Sequence, residues 1–299
     1  AYTPDLGIRG QRFELGAKPL VFGRKPTAGT RVDDPRMSRN HARVSRSTGS
    51  GWLLEDMGSK NRVQVGGAQA QLHKLEDGDV FRLGDSMFVY EVLPPGARDE
   101  PTDSGFVGES GAVRGLLREA RIAAASRSTL LIHGESGSGK EVLCRRLHDW
   151  SGRRGPLVPV NCGAIPSQLI ESTLFGHRRG AFTGAVEHND GYFVAADEGT
   201  IFLDEVAELS LEAQAALLRV LEDGVVTPVG STRGRRVDVR VVAATHKDLR
   251  QAVANDAFRA DLYTRLAGWL LILPPLRDRP LDLMPLTAQF LSRGFRLDP

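Results

Sequence analysis

The sequence is poor in cysteine, with two in 299 residues, Cys144 and Cys162. They occur in no paired-Cys or Cys/His spacing, which excludes a disulfide framework and a zinc site. No apolar run approaches the roughly 20 residues of a membrane-spanning helix. The first ten residues also lack the charged-then-apolar order of a signal peptide. These absences predict a cytoplasmic protein with no membrane partner.

An excess of charge of either sign is also missing. The chain has 39 Lys and Arg against 37 Asp and Glu, a formal net charge of +2 at pH 7. So small a charge gives no bulk attraction to nucleic acid or to an anionic membrane, so such partners would need local sites. The length is sufficient for two domains.

Short runs that alternate apolar and polar residues fill the first third of the chain. They are QRFELG, PLVFGR, HARVSR, WLLEDM, DVFRLG and SMFVYEV, separated by Gly, Asp, Asn or Pro. This pattern predicts an all-β sandwich over residues 1–93. Residues 94–104 are rich in Pro, Gly and charge without periodicity, and we expect them to form a linker.

From residue 105 the pattern changes to apolar runs alternating with helical stretches. The runs are STLLIHG, GTIFLDEV and VDVRVVAAT. Buried strands that alternate with helices predict an α/β domain with a parallel sheet over residues 105–279.

Two helices of this part are predicted in some detail. SLEAQAALLRVLEDG is expected to form a helix with one apolar face and to end before Gly224. That face comprises Leu211, Ala215, Leu218 and Leu221. RPLDLMPLTAQFLSRGF is expected to form a helix capped by Asp282, within a final segment 280–299.

The stretch GESGSGKE, residues 134–141, lies between a predicted strand and a predicted helix, as a P-loop requires. It comprises Gly134, Glu135, Ser136, Gly137, Ser138, Gly139, Lys140 and Glu141. Backbone N–H groups and the helix N-terminus suit phosphate oxygens, and a Lys at this position reaches the β- and γ-phosphates, so the pattern predicts ATP binding. Glu141 replaces the Ser or Thr that usually holds Mg²⁺, so the metal needs another ligand. A glycine-rich turn without a ligand is the alternative.

Two further strands end in groups that suit phosphate chemistry. Asp204 and Glu205 follow GTIFL, where one carboxylate can hold Mg²⁺ and the other can polarise the attacking water. We expect the metal ligand to be Asp204. His246 follows VVAAT, where it can contact the γ-phosphate or orient the water. Exposed strand-end carboxylates and a satisfied strand-end histidine are the alternatives.

Residues 105 to about 290 resemble the AAA+ domain of bacterial enhancer-binding proteins, the activators of sigma-54 RNA polymerase. The resemblance rests on GESGSGKE, VNCGAIPSQLIESTLFGHRRGAFTGA, GTIFLDEVAELSLEAQAALLRVLEDG, VDVRVVAATHKDLR and FRADLYTRL…LPPLRDRP, in that order. Glutamate after the P-loop lysine is usual in this family.

The resemblance implies that the GAFTGA loop contacts sigma-54. The loop comprises Gly180, Ala181, Phe182, Thr183, Gly184 and Ala185. Small residues let it rise or fold back with the nucleotide state, and Phe182 and Thr183 would make the contact. A loop whose Phe docks into its own core is the alternative.

The resemblance also assigns three catalytic positions. Asn161 corresponds to a switch residue that holds Glu205 unproductively until the γ-phosphate arrives; its alternative role is to satisfy a turn. Arg259 and Arg265 correspond to finger residues that complete a neighbour's site in a hexameric ring. Read as one helix, they lie about 120° apart. Ordinary solvated arginines are the alternative.

FGRKP, MSRNHARV, MGSKNRV and LEDGDVFRLG resemble a forkhead-associated (FHA) domain, a β-sandwich that binds phosphothreonine through its loops. The residues implied for this binding are Arg24, Ser38, Arg39, Lys60 and Asn61. An Arg fork, a hydroxyl and further positive charge suit a phosphate dianion. His41 is expected to be structural and to support the Ser38 loop.

The FHA pattern departs from its usual form at GSKNRV. Arg62 and Val63 replace the usual Gly and Thr, which questions the turn of this loop and its peptide specificity. A sandwich that only packs and binds no ligand is the alternative.

Together these features predict a sigma-54 activator in which phosphothreonine recognition controls an ATPase ring that remodels the holoenzyme. A phosphopeptide scaffold with an inactive ATPase domain and an AAA+ remodeller of another protein are the alternatives. Segment 280–299 would begin the helical lid. The lid arginine that senses nucleotide and a C-terminal helix-turn-helix for promoter DNA do not occur in these residues, so we expect weak ATPase activity.

Overall fold

The computed structural model describes residues 13–26, 29–47, 49, 51–92 and 105–294. The predicted linker, 94–104, lies outside them. The described residues divide into two compact units. The first contains 13–92 together with 107–114 and 276–294; the second contains 105–106 and 115–275.

Short strands build the part of the first unit that precedes residue 93. They are β1 (Leu20–Gly23), β2 (Thr30–Arg31), β3 (Ala42–Arg46), β4 (Trp52–Asp56), β5 (Val63–Val65), β6 (Ala68–Gln69), β7 (Leu72–Leu75), β8 (Val80–Leu83) and β9 (Ser86–Val89). One sheet has the order β2-β1-β3-β4-β7 and the other β6-β5-β8-β9. Only β1 and β2 pair in parallel among these described strands. The predicted β-sandwich is confirmed.

Aromatic rings fill the space between these sheets because alternate residues of each strand point inward. Phe22 and Phe88 meet edge to face at 5.1 Å between ring centroids. Phe81 stacks on Phe88 at 5.2 Å. Leu54 and Leu83 are also fully buried in this core.

The remaining strands lie between residues 130 and 272. They are β10 (Leu130–His133), β11 (Leu157–Asn161), β12 (Thr200–Asp204), β13 (Val225–Val226), β14 (Arg235–Arg236), β15 (Arg240–Thr245) and β16 (Trp269–Ile272). Five of them form a parallel sheet of order β11-β12-β15-β10-β16. The strands β13 and β14 form a separate antiparallel pair.

Helices connect these strands, which gives the predicted α/β arrangement. They are α1 (Gly111–Ala125), α2 (Lys140–Ser151), α3 (Ser167–Phe175), α4 (Gly191–Ala195), α5 (Leu211–Asp223), α6 (Leu249–Ala254), α7 (Ala260–Leu266) and α8 (Leu283–Gly294). None of the described helices has a stretch long and apolar enough to cross a bilayer. The carboxyl ends of β10, β12 and β15 meet at one edge of the sheet, where ligands of open α/β sheets bind.

Helix α5 has the predicted ends, and its apolar face is only partly buried. Ser210 accepts the N–H of Ala213 at its start, and Gly224 ends it with φ 65°. On the predicted apolar face, Leu218 and Leu221 pack against the core, whereas Leu211 is 48% exposed. The residues that are buried are Ala213, Gln214, Leu217 and Val220. Gln214 can be buried because its amide donates to the carbonyls of Leu209 and Ala257.

Asp282 directly precedes α8, and its carboxylate binds the segment before α1. Its fully buried carboxylate accepts the N–H groups of Glu109 at 2.5 Å and Ser110 at 2.8 Å, and the Ser110 hydroxyl at 3.0 Å. These N–H groups directly precede α1, whose first turn needs acceptors. Asp282 therefore joins 107–114 to 276–294 in the first unit.

Candidate functional site

The glycine-rich loop connects β10 to α2, as the sequence pattern predicts. Gly139 has φ 107° immediately before the first residue of the helix, Lys140. This left-handed conformation favours glycine and turns the chain into the helix. The N–H of Gly134 donates to the carbonyl of Thr245 at 3.2 Å, so the loop is also joined to the end of β15.

Lys140 is directed back toward its own loop. Its ammonium group is buried and donates to the carbonyls of Gly134 at 3.1 Å and Glu135 at 3.3 Å. The same Nζ lies 3.6 Å from Oε1 of Glu205. A phosphate that binds Lys140 must therefore displace existing partners.

Glu205 follows the last residue of β12 in a strained conformation. Its φ of 53° and ψ of 49° are left-handed, which costs an L-residue about 1–2 kcal/mol. Strain of this kind persists where the surrounding structure enforces it, often at functional sites. Oε2 of Glu205 lies 2.7 Å from Nδ1 of His246 and 3.4 Å from its backbone nitrogen. Since a carboxylate only accepts, Nδ1 of His246 carries the proton.

The two neighbouring carboxylates have pKa values shifted in opposite directions. Burial raises the pKa of Asp204, and the charge of Lys140 opposes this only in part. Burial alone would raise the pKa of Glu205 too, but the His246 hydrogen bond and the Lys140 charge outweigh it and lower that pKa. Opposed shifts in adjacent acids are a common feature of catalytic sites.

Asn161 ends β11 and is in register with Asp204 on the neighbouring strand. Its side-chain oxygen accepts the N–H groups of Gly163 at 2.9 Å and Ala164 at 3.2 Å, so it caps a short turn. Among the described residues, the side chain that bonds to Glu205 is His246 and not Asn161. Glu141 is exposed on α2 and accepts from Arg145 at 3.2 Å.

The two candidate finger arginines do not lie on one helix. Arg259 precedes α7 with extended backbone, φ −74° and ψ 132°, so the predicted helical spacing is wrong for it. Its guanidinium forms two bonds to Asp261, at 3.0 and 2.7 Å. Arg265 lies in the last turn of α7 and donates to the carbonyl of Leu221 at 3.0 Å.

The GAFTGA loop is folded back on itself. The N–H of Gly180 donates to the carbonyl of Ala185 at 2.8 Å, and the N–H of Ala185 donates to that of Phe182 at 3.0 Å. The half-buried Phe182 ring meets the His177 imidazole edge to face at 5.0 Å between centroids. Thr183 is exposed, whereas Ala185 is buried. In this state the Phe182 side chain therefore packs against His177 within its own domain.

The loop that contains Val229 and Gly230 is hydrogen-bonded to the segment that leads into the GAFTGA loop. The N–H of Arg178 donates to the carbonyl of Val229 at 3.1 Å, and the N–H of Val229 donates to that of Gly176 at 2.9 Å. Gly230 has no room for a side chain, because a Cβ there would lie 2.8 Å from Cβ of Ala181. The sequence analysis missed this contact, although Gly230 beside Pro228 marks a tight turn.

In the β-sandwich, hydrogen bonds join the loops that carry the candidate phosphate ligands. The N–H of Arg24 donates to the carbonyl of Ser38 at 3.0 Å. The N–H of Lys60 donates to Oγ of Ser38 at 3.0 Å, and the Asn61 amide donates to the carbonyl of Arg36 at 2.6 Å. The side chains of Arg24, Arg39, Lys60 and Asn61 are exposed, and Ser38 is half-buried.

His41 supports this loop cluster from inside, which confirms its predicted structural role. It is fully buried, and its Nδ1 accepts the N–H of Ser38 at 3.1 Å. Burial lowers the pKa of His41, although the Arg62 carbonyl near Nε2 opposes the shift. Arg62 itself has φ 58° and so adopts the left-handed turn for which glycine is usual. Arg62, which replaces the usual glycine of the FHA pattern, therefore preserves the turn of this loop.

The parallel sheet and its glycine-rich loop define an AAA+ P-loop ATPase domain, and the sandwich before it is an FHA fold. Residues 106–271 match the family described as the Sigma-54 interaction domain, and residues 20–84 match the FHA domain. The chain belongs to the sigma-54 interaction domain family and carries an FHA domain in its first part.

The relatives of this chain are transcription regulators. It is 45% identical to the Nif-specific regulatory protein of Azorhizobium caulinodans over 238 residues, which cover 76% of this chain and 39% of the relative. It is 52% identical to the phenol regulator MopR of Acinetobacter guillouiae over 198 residues, 66% and 35% of the two chains. NtrX from Brucella abortus, solved with ADP, has a TM-score of 0.59 at 34% identity over 63% of this chain and 41% of NtrX. The chain thus spans about two fifths of these proteins.

Proposed function

We propose that this chain hydrolyses ATP to remodel the closed promoter complex of the sigma-54 RNA polymerase holoenzyme, under the control of phosphothreonine recognition by its FHA domain. The observation that carries the proposal is the contact of Glu205 with both Lys140 and His246 beside the P-loop. This contact brings a cation, a carboxylate and a hydrogen-bond donor together beside the P-loop, which supports the proposal that the phosphates of ATP bind there.

The donor set fits ATP and Mg²⁺. Loop N–H groups, the first turn of α2 and Lys140 suit phosphate oxygens, and Asp204, at the carboxyl end of β12, would hold the metal. Mg²⁺ would supply charge neutralisation on the phosphates, and a bound dication favours the ionised form of Asp204. Glu205, whose pKa is lowered, stays ionised to orient the attacking water and accept its proton.

Arg259 and Arg265 would act on the site of a neighbouring subunit in a hexameric ring. Both guanidiniums are bound within their own subunit, to Asp261 and to the Leu221 carbonyl, and would exchange these partners for phosphate oxygens. A dilute monomer of this chain is therefore expected to turn over slowly. Sedimentation alongside the ATPase assay tests this, and vigorous turnover by a monomer would contradict it.

The GAFTGA loop would extend toward sigma-54 when the γ-phosphate site is filled. The folded loop, with Phe182 against His177, would be the nucleotide-free state. Capture of purified sigma-54 in the presence of ADP and aluminium fluoride tests the contact. Thr183→Ala should abolish capture, whereas Thr287→Ala, an exposed threonine on α8, should not. Undiminished capture by the Thr183 variant would remove Thr183 from the contact, and a wild-type chain that captures no sigma-54 would point to a remodeller of another protein.

Hydrolysis separates this function from a phosphopeptide scaffold with an inactive ATPase domain. Glu205→Gln should retain ATP binding and lose hydrolysis, because the amide cannot accept the proton of the attacking water. A wild-type chain that assembles with ATP and never hydrolyses it would favour the scaffold. We expect promoter DNA to be bound by a separate C-terminal domain.

In the FHA domain, Arg24 would offer its fork to the phosphate, with Ser38, Arg39 and Lys60 around it. Asn61 would hold the peptide backbone beside the phosphothreonine. Binding of a phosphothreonine peptide, with its unphosphorylated form as the control, tests this assignment. Equal affinity for the two peptides would leave the sandwich as a packing module.

A further inference from the structure

A cavity of about 610 Å³ lies at the amino-terminal edge of the parallel sheet, opposite the edge that carries the P-loop. It is lined by residues from the segment before β10, the end of α5, the start of β15 and the end of α7. The apolar part of its wall consists of Val220, Leu221, Val237, Val239 and Val241. Small-molecule sites have volumes of roughly 300–1,000 Å³ and mostly apolar walls. The cavity therefore has the size and the surface for a small organic molecule.

The charged part of the wall is predominantly positive. Its cations are the guanidiniums of Arg127, Arg240 and Arg265. The carboxylate of Asp238 also lines the cavity, but it accepts a hydrogen bond from Arg153 at 2.7 Å, which offsets its charge. Arginine forks bind carboxylates and phosphates through paired charge-assisted hydrogen bonds. The wall thus favours an occupant with a negative charge.

Arg240 is a buried cation whose hydrogen bonding is incomplete. It is 5% exposed, and its terminal nitrogens donate to the carbonyls of Ala123 and Ala124, both at 2.6 Å. Its Nε is buried and has no hydrogen-bond partner among the residues that the structure describes. Burial lowers the pKa of Arg240, and the positive charge of Arg153 lowers it further. A buried donor of this kind normally has an acceptor, from the protein, from water or from a ligand.

We propose that this cavity binds a small organic anion, with its acidic group on the arginines and its apolar body against the valines. The acidic group would supply the acceptor that Nε of Arg240 lacks, and its charge would offset the excess positive charge of the wall. Binding itself is independent of the proposed ATPase function. Its consequence for catalysis, which acts through Arg265, rests on that function.

Arg265 connects the cavity to the proposed catalysis between subunits. Its guanidinium donates to the carbonyl of Leu221 at 3.0 Å, and both residues line the cavity. A bound anion would give Arg265 a charge-assisted partner, which is stronger than a neutral carbonyl. Arg265 would have to leave this partner to reach the ATP of a neighbouring subunit. Occupation of the cavity should therefore lower the turnover of the assembled ring.

Titration calorimetry on the full chain without nucleotide tests the binding, with 1-naphthyl phosphate and 1-naphthoate as probes. We expect a Kd below about 1 mM for at least one probe, and the tighter of the two identifies the acidic group. The neutral 1-naphthol should bind at least about tenfold more weakly. Arg127→Ala should weaken probe binding at least about fivefold, because an exposed cation of the wall is lost. Arg154→Ala, which removes an exposed arginine outside the cavity, is the matched control and should leave the affinity unchanged.

Several results of this titration would overturn the proposal. They are the absence of binding by both anions, equal binding of 1-naphthol, and an unchanged affinity in Arg127→Ala. A loss of probe binding in Lys140→Ala would also overturn it, since that result would place the probe in the P-loop.

Steady-state ATPase kinetics of the assembled chain test the consequence for catalysis. The saturating probe should lower kcat at least about fivefold with KM for ATP within about twofold, because a finger arginine acts on the transferring phosphoryl group. Arg127→Ala should keep the wild-type kcat without the probe and should resist inhibition by it. Binding without inhibition would overturn the proposed control of Arg265. A wild-type chain that hydrolyses no ATP without the probe would instead refute the ATPase function and leave the binding result standing.

Discussion

The two candidate phosphate sites of this molecule are built in opposite ways. In the P-loop site the cation Lys140 is buried and already held by loop carbonyls and by Glu205. In the FHA site Arg24 and Arg39 are exposed, and backbone hydrogen bonds fix the loops beneath them. A phosphate entering the first site must displace partners, whereas one entering the second finds donors at the surface. The first construction couples binding to rearrangement, and the second favours recognition with little movement.

The largest expected effect follows removal of the buried cation. Lys140→Ala should weaken ATP binding about 100-fold or more, because two charge-assisted hydrogen bonds to phosphate are lost. Lys247→Ala, which removes an exposed lysine paired with Glu208 at 2.6 Å, should have little effect. Titration calorimetry measures both. A loss below about threefold in Lys140→Ala would mean that the cation serves the loop and not the nucleotide.

The equivalent change in the exposed site should cost less. Arg24→Ala should weaken binding of a phosphothreonine peptide about 10- to 100-fold, the range for loss of one bidentate charge-assisted pair. Arg46→Ala, at the exposed end of β3, is the control. Fluorescence anisotropy with a labelled peptide gives both affinities. Equal affinities in the two variants would remove Arg24 from the site.

The contribution of His41 to the stability of the FHA domain should depend on pH. The lowered pKa of His41 means that the folded state prefers its neutral form, which accepts the Ser38 N–H. The unfolded chain then binds more protons, so this contribution is full above the ordinary histidine value of 6.5 and is lost as the pH falls below it. His41→Ala should destabilise the FHA fold by about 1–3 kcal/mol at pH 7.5, because the Ser38 N–H loses its acceptor. Hydrogen exchange of β3 and β4 at pH 7.5 and 5.5 measures both effects, and pH-independent protection in the wild type would contradict the account.

The smallest effect concerns the left-handed turn of the FHA loop. Arg62→Gly should stabilise the domain by about 0.5 kcal/mol, because the relief of about 1–2 kcal/mol of strain exceeds the 0.5–1 kcal/mol entropy cost of glycine. Arg46→Gly, in extended backbone, should destabilise it. Urea unfolding followed by the same exchange reporters compares the two. If Arg62→Gly destabilised the domain, the contact between Arg62 and Asp56, 4.0 Å apart, would contribute more free energy than the strain costs.

Alternating runs predicted most of the FHA strands but not all. HARVSR, WLLEDM and DVFRLG become β3, β4 and β8. QRFELG forms no strand in its described part, 13–16, although Phe13 packs on Phe22 at 5.3 Å. The strand β7 was missed because Leu72 is 60% exposed at the sheet edge and breaks the alternation. Alternating residue patterns reveal strands that bury one face. An edge strand is stabilised largely by backbone hydrogen bonds, which leave no such pattern in the sequence.

The candidate catalytic groups could be predicted as a set because the carboxyl ends of parallel strands converge. Lys140, Glu205 and His246 therefore meet, as their positions after β10, β12 and β15 indicate. Which donor holds Glu205 could not be predicted, since Asn161 ends one strand beside β12 and His246 directly follows the other. Whether Asn161 or His246 bonds to Glu205 depends on the turn that Asn161 caps at Gly163 and on the left-handed conformation of Glu205. Only the three-dimensional structure shows these two features.

The central claim is that phosphate binding at Lys140 and Glu205 releases the loop that carries Phe182. Thiol labelling of Ala185→Cys tests it most directly, because Ala185 is only 6% exposed in the folded loop. Background labelling is low, since Cys144 and Cys162 are buried free thiols and burial raises the pKa of Cys162 to about 12. Thr183→Cys, exposed in the folded loop, is the control that labels rapidly in both states. We expect labelling of Ala185→Cys to accelerate at least about tenfold with ADP and aluminium fluoride; an identical rate with and without the analogue would contradict the account.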